Sequence, residues 1–135
     1  MFQLSKKIEY GLIAMRHMAM SRAGQIFTTK EIAEKYNISY ELLAKVMQKL
    51  VKEKFISSYQ GVHGGYVLAR NPRDLKVSSI ISAIEGKSNI TIIQCEAESS
   101  NNCVIHETCT IKDPLVKLQA TINRAFENLS IMEMV

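Results

Sequence analysis

The sequence predicts a mainly α-helical fold with one small β-hairpin, and three observations carry that reading. Apolar residues recur at three- and four-residue spacing through much of the chain. Two short helical segments follow one another with a turn of three or four residues between them. A glycine cluster between two short β-prone runs then marks a hairpin directly after the second of these segments.

In chain order, Leu4, Ile8, Leu12, Met15 and Met18 define an amphipathic helix over residues 3–21, ending near Gly24. Thr28-Thr29-Lys30-Glu31 is a capping box: the Thr28 hydroxyl can accept from the third helical amide while Glu31 reaches back to the Thr28 N–H. It opens a helix from Thr29 to Tyr36 with Ile32, Ala33 and Tyr36 inward, stopped by Asn37. Ser39 caps the next helix, which extends to about Lys54 with Leu42, Leu43, Val46, Leu50 and Val51 inward. Strands are expected at Phe55–Gln60 and Tyr66–Ala69 around Gly61-Val62-His63-Gly64-Gly65, where glycines permit the positive φ of a tight turn. A hairpin placed there is a wing, so residues 1–86 read as a winged helix-turn-helix domain. Asn71-Pro72 breaks the chain, and Val77, Ile80, Ile81 and Ile84 mark a short buried helix ended by Gly86. Asp113-Pro114 is expected to start a last helix, with Asp as N-cap and Pro at the first position. Leu115, Leu118, Ile122, Ala125, Leu129 and Met132 then form a heptad seam, so residues 113–135 read as a dimerisation helix and tail.

Composition is that of a globular domain, with 47% apolar and 22% charged residues among 135. Charge is uneven: residues 1–70 carry 11 Lys/Arg against 5 Asp/Glu, and residues 71–135 carry 6 against 8. A basic first half suits a polyanion. No apolar run is long enough for a signal peptide core or a membrane span, which makes the cytoplasm the expected location.

The helix after Ser39 presents Tyr40, Glu41, Lys45, Gln48, Lys49 and Lys52 on its polar face. Ser39 and Tyr40 stand at the end that usually meets base edges in the major groove of double-stranded DNA. Lys45, Lys49 and Lys52 form a basic stripe suited to phosphates, and Gln60 and His63 add polar groups on the wing.

Between the domain and the last helix, residues 87–112 contain all three cysteines, Cys95, Cys103 and Cys109. Their neighbours are Glu, Ser, Asn and Thr, poor company for thiols kept as packing groups. A reducing compartment disfavours structural disulfides, and an odd number cannot pair fully. The C-x7-C-x5-C spacing lacks the C-x2–4-C knuckle of zinc sites. A metal or iron–sulfur site, a thiol redox switch and inert thiols all remain open on spacing. A Cys–His nucleophile using His106 is disfavoured, since the stretch shows no oxyanion donors, and no enzyme activity is expected.

With these features in place the chain resembles the IscR/NsrR/RirA-type winged helix-turn-helix transcription regulators. The resemblance runs end to end and rests on "LSKKIEYGLIAMRHMA", "EIAEKYNISYELLAKVMQKL", the wing "GVHGGYVLA", "VSSIISAIEG", and the three cysteines before a long helix. It implies a homodimer that binds a palindromic operator and senses through an iron–sulfur cluster on Cys95, Cys103 and Cys109. Where one branch has a histidine as fourth ligand, three residues after the third cysteine, this chain has Lys112. In another branch the fourth ligand is a carboxylate from the partner's first helix, and the matching residue is Glu9; His106 is the alternative. Without a histidine at position 112 a 4Fe–4S cluster is favoured over 2Fe–2S. The chain also has Gln60 where IscR-like proteins carry an arginine, and Ala44 where they carry a glutamate, so no operator sequence is carried over. A cluster-free regulator of the same fold, controlled by thiol oxidation or a partner protein, is the alternative.

Overall fold

A computed structural model of the protein describes residues 3–86 and 110–135. Its order is α1 (Lys6–Ala19), α2 (Thr29–Tyr36), α3 (Tyr40–Lys52), β1 (Ile56–Tyr59), β2 (Gly65–Leu68), α4 (Val77–Glu85), α5 (Lys112–Asn128) and a C-terminal 3-10 turn, Ile131–Met134. This is the mainly helical, single-hairpin architecture the patterning predicts.

The helix starts follow from side-chain capping. Ser5 Oγ accepts the Ile8 N–H at 3.4 Å, so α1 begins three residues later than its apolar pattern suggests. The Thr28–Glu31 box is formed in both directions at 3.1 Å, and Asn37 ends α2 in the left-handed region, a conformation asparagine tolerates. Ser39 Oγ accepts the Leu42 N–H at 3.3 Å and starts α3. The core is built by Ile8, Leu12 and Met15 of α1, Ile32 of α2, Leu43, Val46, Met47 and Leu50 of α3, and Ile80, Ile81 and Ile84 of α4. Met47 is fully buried although the apolar pattern assigned above omits it, whereas Leu42 is only half-buried and stands aside from the core.

The wing departs from expectation in one respect. β1 and β2 pair antiparallel from Ile56↔Leu68 to Tyr59↔Gly65, and Phe27, from the segment before α2, adds an isolated third bridge to Tyr66. Phe27 N–H donates to the Tyr66 carbonyl at 2.8 Å, and Tyr66 N–H to the Phe27 carbonyl at 2.6 Å. Gly61 supplies a positive φ of 115°, as the turn requires. At Gly65 backbone crowding decides: a Cβ there would lie 2.5 Å from the Phe27 carbonyl oxygen, backbone that cannot swing aside. An alanine at position 65 would therefore separate the wing from the body.

The C-terminal region corrects the sequence reading twice. First, α5 starts at Lys112 with Ile111 as N-cap, which leaves Asp113 and Pro114 inside the first turn. Amides of the first turn need no intrahelical acceptor, so proline is tolerated there, and Asp113 complements the helix dipole. Second, the helix ends at Asn128, so Leu129 and Met132 do not continue the seam. Leu129 is extended, and Ser130 with Glu133 forms a second capping box that restarts the chain as the 3-10 turn. This puts Ile131, fully buried, into the core. Backbone bonds from Val77 N–H to the Leu129 carbonyl and from Ile131 N–H to the Leu75 carbonyl, both 2.9 Å, fasten it. Arg16 Nε completes the clasp by donating to the Met134 carbonyl at 2.7 Å.

Candidate nucleic-acid interface

The polar face of α3 is a consequence of its buried one. Leu43, Val46, Met47 and Leu50 take one side of the helix, leaving Glu41, Lys45, Gln48, Lys49 and Lys52 exposed on the other. Tyr40, 55% exposed, projects at the N-terminal end beside Ser39, with Ala44 half-buried between the two faces. At the other end Lys54 adopts a positive φ of 61°, and Phe55 N–H returns to the Leu50 carbonyl at 3.0 Å. The chain thus turns directly from the reader helix into the wing. Gln60 and His63 are exposed at the hairpin tip, next to Val62, which is 98% exposed.

One member of the basic stripe departs from the expected pattern. Lys49 Nζ donates to the Ile84 carbonyl at 2.7 Å, so its charge is directed at the end of α4. Lys45 and Lys52 have no hydrogen-bond or ion-pair partner among the described residues. All three lysines of the stripe are exposed, but only Lys45 and Lys52 have ammonium groups without a protein partner among the described residues.

Glu9 lies on α1, half-buried, and accepts a hydrogen bond from Lys6 Nζ at 2.8 Å. That bond is the main reason the Lys6 ammonium is held above its ordinary pKa. Lys112, at the position where a histidine ligand is absent, stands at the first residue of α5. Cys95, Cys103, Cys109 and His106 lie outside the described residues, and among the described residues no group of three His, Cys, Asp or Glu side chains could hold a metal ion.

A residue the sequence reading missed joins the first two helices. His17 Nδ1 lies 2.8 Å from the Tyr36 hydroxyl, and its ring meets those of Phe27 and Tyr36 edge-on. Its position among the periodic residues of α1 gave no chemical signal. Burial, then the charge of Lys35, holds the His17 pKa below the ordinary value, with Glu31 opposing. The unfolded chain therefore takes up this proton before the folded one, and stability should fall as pH drops below about 6.5 until the folded pKa is passed. Thermal melts between pH 7.5 and 5 should show this acid slope, and His17→Gln should flatten it; an identical slope in the variant would remove His17 from the account.

The profile of Rrf2, described as an iron-dependent transcriptional regulator, matches residues 4–135. The chain belongs to the Rrf2 family. It is accordingly a transcription regulator and not an enzyme. The HTH-type transcriptional regulator NsrR of Bacillus subtilis (strain 168) is 30% identical to it over 84% of this chain and 76% of that protein. Among solved structures, IscR of T. potens is 27% identical with a TM-score of 0.74, covering 98% of this chain and 85% of that one. CymR, the global cysteine regulator of B. subtilis, shares the fold at a TM-score of 0.79 and 21% identity, over 99% of this chain and 96% of that one. No helix among the described residues of this Rrf2 protein is long and apolar enough to cross a membrane.

Proposed function

We propose that this Rrf2-family protein is a homodimer that binds a palindromic operator through α3 and the wing, with its occupancy governed by an iron–sulfur cluster on its three cysteines. The observation that carries the proposal is the exposed face of α3, capped by Ser39 and continuous with the wing, in a chain of this family. In this reading Ser39, Tyr40, Glu41 and Gln48 meet base edges. Lys45 provides phosphate contact, and Gln60 and His63 extend the footprint along the adjoining groove.

Three thiolates are a donor set suited to an iron–sulfur cluster and leave one position for a further ligand. Cys95, Cys103 and Cys109 would hold it, with Glu9 from the partner subunit as the fourth donor and His106 as the alternative. The Lys6–Glu9 pair is solvent-exposed and holds the carboxylate only weakly, which leaves Glu9 available. The 4Fe–4S form fits the lack of a histidine at position 112. When bound, such a cluster supplies a ligand assembly sensitive to iron supply, oxygen or nitric oxide. Glu9 stands on α1, which packs on both α3 and α4, so a change in how Glu9 is held reaches the helices that support the reader.

Anaerobic purification is the direct test. The wild type should be brown, with iron and acid-labile sulfide in comparable amounts, and Cys103→Ala colourless. Glu9→Ala and His106→Ala, compared by absorbance and Mössbauer spectroscopy, identify the fourth donor. A colourless, iron-free wild type would overturn the cluster and leave a regulator under thiol or partner control.

A further inference from the structure

We propose that Lys49 is a positioning residue of the operator-reading helix, tying α3 to the C-terminal end of α4, and is not a phosphate contact. The inference rests on the reading of α3 as the element that meets DNA. It begins with an unmet need at the end of α4. The last four carbonyls of a helix have no intrahelical donor, and that end carries partial negative charge. The last turn of α4 contains no basic residue, and Gly86, in the left-handed conformation, returns its N–H only to the Ser82 carbonyl at 2.8 Å. The Ile84 carbonyl receives Lys49 Nζ instead, at 2.7 Å. A charged donor from another helix thus satisfies one of the terminal carbonyls of α4.

Two further contacts show that this point is a three-helix junction. Gly11 of α1 lies so close to Ile84 that a Cβ would collide with Ile84 Cδ1, and it would also come within 3.2 Å of Val46 Cγ1 on α3. Ser5, the N-cap of α1, donates through its hydroxyl to the Glu85 carboxylate. The end of α4 is therefore clasped by α1 on one side and by α3, through Lys49, on the other. Displacement of α1 or of the α4 terminus moves the anchor of the reader helix. Lys45 and Lys52, on the same stripe, have no such partner among the described residues and remain available to phosphates.

The two roles for Lys49 predict different DNA behaviour. A phosphate contact acts on every sequence alike and contributes about 0.9 to the slope of log affinity against log salt. A positioning bond acts on the fit to specific sites. Two duplexes serve as probes: a palindrome selected from a randomised pool with the wild-type dimer, and a scrambled duplex of the same composition. Lys49→Met, which keeps the aliphatic stem, should lower affinity for the selected duplex about tenfold while leaving the scrambled duplex and both salt slopes unchanged. Lys49→Arg, retaining charge and donors, should recover most of the loss. Hydrogen exchange of residues 77–86 in the free protein should accelerate in Lys49→Met and not in Lys45→Ala. By contrast, Lys45→Ala should weaken both duplexes and reduce the slope. A reduced slope in Lys49→Met, or unchanged exchange at residues 77–86, overturns the proposal. If Lys45→Ala alters neither duplex, the reading face is wrong; the exchange measurement needs no DNA and still decides the Lys49 bond.

Discussion

Leu118→Arg is expected to leave the protein monomeric and to lower affinity for a two-half-site operator by roughly 10²–10⁴-fold, the range over which linked binding exceeds single-site binding. The reason lies in the two ends of α5. Its C-terminal end is anchored to the domain: Phe126 packs on the core, and so does Leu129 just beyond the helix. Its N-terminal part leaves Leu118 48% exposed, with Ile111 55% exposed just before the helix and Leu115 and Ile122 half-buried. Leu118 is not part of the domain core, so a charge there burdens a second copy far more than the fold. Sedimentation velocity should show the loss of dimer with an unchanged circular dichroism spectrum. A variant that stays dimeric would place the subunit contact elsewhere.

Ile84→Ala should be among the most damaging core truncations, at about 2–5 kcal/mol by chemical denaturation. Ile84 is 1% exposed and fills the space left by the absent side chain of Gly11. That fit makes the two positions interdependent. Gly11→Ala alone gains about 1 kcal/mol of helix propensity. It also forces an overpacking cost of about 1–3 kcal/mol. Combined with Ile84→Val, which removes the clashing Cδ1, it should be less damaging than the sum of the two changes, with a coupling of about 0.5–3 kcal/mol. Strict additivity would show that the junction adjusts freely.

Much of this organisation is legible in local signals. The Thr28–Glu31 box, the Ser39 cap and the Asn37 stop each act through bonds between residues a few positions apart, so the bounds of α2 and the start of α3 could be read directly. The polar face of α3 followed from its buried periodicity. A similar local signal, Ser130 with Glu133, was present but hidden by an apolar spacing that continued across it. The heptad pattern at Leu129 and Met132 was thus coincidental with a chain that had already left the helix. Periodicity reports which residues are apolar, but not whether the backbone remains helical beneath them.

By itself the sequence determined the order of the five helices and two strands, the caps of α2 and α3, the wing and the polar face of α3. All of these rest on interactions within one turn of helix or one hairpin. The tertiary structure alone decided that Phe27 braces the wing, that the C-terminal turn folds back onto α1, and that His17 joins α1 to α2. It also decided that the exposed Lys49 side chain turns its ammonium onto a carbonyl at the end of α4. The distinction is physical: a lysine on a polar stripe has the same sequence signature whether its ammonium meets water, a phosphate or a carbonyl. Only the neighbouring helix, 35 residues away in the chain, supplies the acceptor that settles it.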